Sequence, residues 1–298
     1  MEQKNKIRGK LILIGGNEIK RPEKSPEGEN NQHSDFQNGV LNEILKEVTS
    51  KTPVIEVIPA ASEDQDKMGK KYMEAFRKLK QKASVITIHN RKDAALPGNL
   101  GRIENADIVF FAGGDQTKLE KLIADTPLIE TLAKRYHNDD FIIAGTSSGA
   151  MIWSQNMIVA GASDEALIKG VIELKKGLGF VSKVIIDTHF LSRGRMSRLA
   201  EALLANNEET GIGICEDTGL VIHEGRYLRT IGSGTVVIME KKHIKKSNYK
   251  LVKKNDPVYI ENLVMHILAR GAGYDLEENR FLILDPKSAT KMELQDAG

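Results

Sequence analysis

The chain reads as an α/β protein: a mostly parallel sheet flanked by helices, with added antiparallel strands in the C-terminal part. Three observations point there. Short, nearly continuous apolar runs alternate with segments of helical periodicity through the first half, the pattern of strands buried on both faces. Glycines close several of those runs, at Gly15-Gly16, Gly113-Gly114 and Gly145, so the strand ends are expected to converge on one rim. After Gly211 come short β runs separated by turns (GIGIC, GLVIH, YLRTI, GTVVIM), which suggest an antiparallel or mixed region continuing the sheet.

Taken in order, residues 11–14 give the first strand. Residues 20–34, rich in Glu, Asn, Pro and Ser, read as a loop. Phe36, Val40, Leu41, Ile44, Leu45 and Val48 recur at helical spacing. Strands are predicted over 54–58 and 85–88, with a helix carrying residues 72–79 between them. Residues 108–111 form the next strand, followed by Gly113-Gly114 and a helix from Thr117. Residues 141–144 then run into Gly145-Thr146-Ser147-Ser148-Gly149. A later strand, 184–186, ends in Asp187-Thr188-His189 and precedes a helix with a basic start, RGRMSRLAEALLA. No repeat or linker-like break divides the 298 residues, so one domain spanning 1–298 is expected.

A formal net charge of +2 gives no reason to expect a polyanionic partner. The one basic concentration, residues 241–254, reads as a solvated hairpin near a sheet edge; no aromatic stacking platform accompanies it, and no nucleic-acid partner is expected. The single cysteine, Cys215, excludes an intrachain disulfide and a thiolate metal cluster within one chain. It lies in an apolar run, where a buried thiol is the default. The N-terminal apolar run LILI is too short for a signal-peptide core or a membrane span. A cytoplasmic protein without membrane contact is the expectation, with neither metal nor cofactor.

The pentapeptide 145–149 has G-x-S-x-G spacing with Ser147 at its centre. Glycines two before and two after relieve crowding at a strained turn, and the N–H of Ser148 would open the following helix toward a developing oxyanion. A helix N-cap made of small residues explains the same letters. A nucleophilic serine needs a base, and His189 stands out among the seven histidines because it lies just past a strand on the expected rim. It also fits a structural strand-end histidine. Glu216, at the end of GIGIC, is placed to orient an imidazole, or is a surface-turn acid. Gly114 can offer a backbone N–H and Gln116 an amide, although Gly113-Gly114-Asp115 also reads as a capped turn. Arg193, Arg195 and Arg198 suit carboxylates, or form a solvated helix face.

The stretches KLILIGGNE, VIPAASED, FFAGGDQTKL, AGTSSGAMI, DTHFLSRGRMSRL and GIGICEDTGLVI, in that order over residues 10–222, resemble the cyanophycinase family. These are serine exopeptidases related to the aspartyl dipeptidases, with a fold like that of class I glutamine amidotransferases (flavodoxin-like). The resemblance implies Ser147 as nucleophile, His189 as general base and then acid, and Glu216 as its orienting partner. It implies Gly114 and the Ser148 N–H at the oxyanion hole, and substrate contacts from Gln116, Asp187, Thr188, Arg193, Arg195 and Arg198. It further implies a cytoplasmic homodimer and, as substrate, the arginine-bearing polyaspartate cyanophycin, released as β-aspartyl-arginine dipeptides. On that reading the arginines meet substrate carboxylates and Asp187 meets a guanidinium. Three positions depart from the family's pattern: Ser148 replaces the usual Ala, Cys215 an acid, and Thr188 a Gln beside the histidine. The alternatives are a dipeptidase for other aspartyl or isoaspartyl peptides on the same fold, and a catalytically silent binding homologue.

Overall fold

Apolar runs of four or five residues, buried on both faces, form the centre of the molecule. The computed structural model describes residues 6–18, 39–161 and 166–283. Strands β1 (Lys10–Ile14), β2 (Ile55–Ile58), β3 (Ala83–Val85), β4 (Ile108–Phe111) and β5 (Ile142–Thr146) make the parallel half of the main sheet. A hairpin, β6 (Asn156–Gly161) and β7 (Ile172–Lys176), follows, then β8 (Val184–Thr188) and β9 (Thr210–Ile214). The remaining strands are β10 (Thr218–His223), β11 (Tyr227–Gly232), β12 (Val236–Glu240), β13 (Lys246–Ser247), β14 (Ile260–Glu261), β15 (Val264–Leu268), β16 (Ala272–Asp275) and β17 (Arg280–Ile283).

The main sheet has nine strands in the order β17-β16-β11-β10-β1-β5-β4-β2-β3. Strand β1 is the switch: it pairs in parallel with β5 and antiparallel with β10. A second sheet, β15-β12-β9-β8, stands apart from it. This corrects two expectations. The sheet is mixed rather than mostly parallel. The region after Gly211 does not simply continue it: GIGIC and GTVVIM join the second sheet, whereas GLVIH and YLRTI extend the first. One buried apolar cluster nevertheless includes residues of both sheets, from Leu11 and Leu13 to Ile212 and Ile238.

The helices are α1 (Val40–Lys46), α2 (Gln65–Lys78), α3 (Pro97–Asn105), α4 (Gln116–Ile123), α5 (Pro127–Asn138), α6 (Ser148–Met151) and α7 (Met196–Ala205). Their starts follow local chemistry. Asp64 caps α2 by accepting from the Lys67 N–H, Asp115 caps α4 by accepting from the Thr117 N–H, and α3 and α5 open on proline. Strand β3 ends earlier than the apolar run 85–88 suggests. The Gln65 side chain takes both backbone groups of Ile88 (2.7 and 2.9 Å), replacing a ladder partner. Helix α7 begins at Met196 rather than Arg193, because Gly194 adopts a left-handed φ of 59° that breaks the helical path.

The expected loop 20–34 and Phe36 lie outside the described residues. Part of the basic run 241–254 forms the two-stranded β13–β14 pair, with its lysines at or near the surface. Cys215 is a free, buried thiol. Among the described residues no helix is long and apolar enough to cross a membrane.

Candidate active site

Strand β5 delivers Thr146, and the chain then turns sharply. Ser147 takes φ 53° and ψ −119°, a conformation that costs a non-glycine residue on the order of 1–3 kcal/mol. The turn is tight enough that a Cβ on Gly145 would lie 2.0 Å from the Gly149 carbonyl oxygen, so glycine there is obligatory. The Ser147 N–H donates to the Ile14 carbonyl (2.9 Å), tying the turn to the end of β1, and α6 starts at the next residue. The sequence alternatives of elbow and simple N-cap separate here: the Ser147 side chain makes no capping hydrogen bond. It faces His189 instead.

His189 arrives from the second sheet, not from the rim of the first. Its N–H donates to the Gly15 carbonyl at 2.8 Å, while Asp217 N–H donates to Gly16 carbonyl at 2.9 Å. The turn after β1 therefore gathers the ends of β5, β8 and β9. Its second glycine is needed for space: a Cβ on Gly16 would stand 2.3 Å from the imidazole Cε1. The imidazole Nε2 is 3.1 Å from Ser147 Oγ, and Nδ1 is 2.7 Å from Glu216 Oε1. Ser147, His189, Asp217 and Asn17 all carry positive φ, so backbone strain concentrates around these three side chains.

The electrostatics suit proton transfer. Burial lowers the His189 pKa below its ordinary value; the hydrogen bond to Glu216 opposes this, and the positive charges of Arg193 and Arg195 reinforce it. The imidazole is thus neutral at pH 7 and can accept a proton. Burial works against the Glu216 charge, but hydrogen bonds from His189, Asn17 and Ser192 outweigh it, so its carboxyl is held below the usual range. A carboxylate there fixes the imidazole so that Nε2 faces the serine.

Sequence reasoning missed these supports. Asn17 and Ser192 reach Glu216. Glu18 accepts from the Thr146 hydroxyl at 2.8 Å and from the Tyr72 hydroxyl, anchoring the residue before Ser147 to α2. Burial, and then Glu18 itself, raise the Tyr72 pKa well above normal, keeping that phenol a donor. The available signal was the Asn17-Glu18 pair directly after Gly15-Gly16.

The expected binding residues divide. Arg193 is exposed and near enough to His189 to act on its charge. Gln116 donates its amide to the Ile158 carbonyl (3.0 Å), bridging α4 to the β6–β7 hairpin. Asp187 and Thr188, by contrast, are 0% exposed. The Asp187 carboxylate receives Arg195 Nη1 (2.8 Å), Arg198 Nε (2.8 Å) and Arg198 Nη2 (2.7 Å). Arg195 also donates to the Thr188 carbonyl at 2.7 Å, and the Thr188 hydroxyl faces the Met151 sulfur. In this structure Asp187, Arg195 and Arg198 bind one another in a cluster behind His189, and the Asp187 and Thr188 side chains have no accessible surface, while Arg195 Nε is left without a partner among the described residues. Of the two expected oxyanion donors, the Ser148 N–H opens α6. The Gly114 N–H is 2.7 Å from the Ser148 hydroxyl and donates to it.

A neutral imidazole poised between a strained serine and a carboxylate is the arrangement of a serine hydrolase, and comparison with known proteins narrows the class. Residues 27–230 match peptidase family S51. The chain is 36% identical over 228 residues to the cyanophycinase of Synechococcus elongatus, covering 76% of this chain and 71% of the relative. It is 35% identical over 223 residues to the cyanophycinase of Geminocystis herdmanii, covering 74% and 82%. A peptidase from an acI-B1 Actinobacterium shares the fold, with a TM-score of 0.59 at 21% identity, over 91% of this chain and 98% of that one. The protein is a serine peptidase. It belongs to peptidase family S51.

Proposed function

We propose that the chain is a cyanophycinase: a serine exopeptidase that hydrolyses the polymer to β-aspartyl-arginine dipeptides. The observation that carries the chemistry is the Ser147–His189–Glu216 relay, with spacings of 3.1 and 2.7 Å. Ser147 Oγ attacks the scissile carbonyl while His189 Nε2 takes its proton. The resulting imidazolium is stabilised by Glu216 and returns the proton to the leaving amine. Water, deprotonated by His189, then resolves the acyl-enzyme. The negative oxygen of each tetrahedral intermediate is assigned to the N–H groups of Ser148 and Gly114.

The names of the relatives support the choice of polymer, and the exposed guanidinium of Arg193 supports a substrate bearing carboxylates. The Thr188 departure counts little against this substrate, because a side chain without accessible surface does not touch it directly. With the substrate we also propose the class I glutamine amidotransferase-like assignment of the fold, and a cytoplasmic homodimer. Purified protein incubated with insoluble cyanophycin is expected to release a soluble dipeptide with the mass of β-aspartyl-arginine. Release of dipeptides only from small isoaspartyl peptides would transfer the assignment to a dipeptidase.

A further inference from the structure

The serine after the nucleophile does more than fill space. An oxygen 2.7 Å from the Gly114 N–H occupies the spacing that a transition-state oxyanion would take, and here that oxygen is Ser148 Oγ. We propose that the Ser148 hydroxyl closes the Gly114 half of the oxyanion hole in the resting enzyme and must swing away before the acyl oxygen binds there. The inference rests on the serine-peptidase reading of the site and adds a rate-determining residue to it.

Three observations carry it. The Gly114 N–H lies beside the nucleophile: a Cβ on the adjoining Gly113 would be 3.1 Å from Ser147 Cβ. The loop bearing Gly114 cannot retreat, because the Asp115 N–H is tied to the Ala61 carbonyl at 2.9 Å and a Cβ on Gly114 would fall 2.1 Å from that same oxygen. One χ1 rotation to another staggered well would carry the hydroxyl off the donor. Ser148 is also only 2% exposed, so the contact is not loosened by competing water. An incoming carbonyl oxygen replaces a hydrogen bond that the enzyme already makes, and the gain from the Gly114 donor shrinks by what that bond is worth. Alanine at 148 leaves the N–H free and keeps the backbone donor of the same residue.

The test compares wild type with Ser148→Ala by the second-order rate of labelling with a fluorophosphonate. In that reaction the Ser147 Oγ–P bond forms, the P–F bond breaks to release fluoride, and the serine proton passes to His189. The phosphoryl oxygen uses the same hole. The alanine variant is expected to label about three- to tenfold faster, the worth of one neutral hydrogen bond. Equal rates would overturn the proposal, because the hydroxyl would then turn aside at no cost. A variant slowed about tenfold would overturn it in favour of the hydroxyl acting as a donor to the oxyanion. Wild type that fails to label would instead defeat the serine-hydrolase reading. Proton NMR of the wild-type Gly114 amide gives an independent check: it is expected downfield, moving upfield in Ser148→Ala, and a solvent-like shift in wild type would also sink the proposal.

Discussion

Two polar clusters meet at His189, and they differ in what burial does to them. In front, Ser147, His189 and Glu216 make a chain of single hydrogen bonds, with Glu216 one-third exposed and the backbone strained at Ser147 and His189. Behind, Asp187 accepts three hydrogen bonds from Arg195 and Arg198 among fully or nearly buried groups, one carboxylate shared by two guanidinium groups. Both clusters consist of residue types that a reader of sequence would assign to function. The difference teaches that oppositely charged groups buried on one another serve as framework, whereas a serine joined to a partly exposed imidazole–carboxylate pair by one proton-bearing contact is placed for chemistry.

The sharpest way to break that contrast is to remove one member from each side. Ser147→Ala is expected to lower kcat by about 10⁴-fold or more, with dipeptide release from cyanophycin as the readout, because the attacking oxygen is lost. Its urea midpoint should hold or rise slightly, since the residue lies outside any buried ion pair. Asp187→Ala is expected to do the reverse first: to cost about 3–5 kcal/mol in urea unfolding, because two buried guanidinium groups lose their counter-charge. An Asp187→Ala protein of unchanged stability with lost substrate affinity would return that aspartate to the binding surface. Glu216→Gln should fall between them, lowering kcat by roughly 10²-fold or more through loss of imidazole orientation and charge, with little effect on folding of so exposed a group.

The legible parts of the molecule were those fixed by local pattern. Buried parallel strands announce themselves as apolar runs, and Asp64 and Asp115 cap helices by chemistry confined to three residues. The serine elbow was readable because its glycines are sterically obligatory. What was not readable depends on partners distant in the chain. Nothing near residues 184–189 says that this strand joins a second sheet, yet that sheet carries His189 to Ser147. The arginines after His189 show helical spacing with a basic start, but only the folded chain reveals that two of them turn inward onto Asp187. Ser148 belongs to the same class: its meaning depends on Gly114, brought beside it by the β4–α4 loop.

The smallest expected effect tests whether the front cluster is tuned by charge. His189 accepts the serine proton only when neutral, so kcat/KM should hold above the ordinary histidine pKa of 6.5 and fall as pH drops through the lower value in the folded enzyme. Burial is the first cause of that lowering, and the Arg193 charge adds to it while Glu216 opposes it. Arg193→Gln removes a lowering influence and should move the acid limb to higher pH; Glu216→Gln removes a raising one and should move it to lower pH. Arg193 is exposed, so its share should shrink in high salt, as the interaction of separated surface charges does within a Debye length of about 8–10 Å. Loss of a substrate contact by Arg193→Gln would change the height of the profile but not the position of its limb. An unmoved limb at low salt would mean that His189 is set by burial alone, and that the arginine serves the substrate rather than the base.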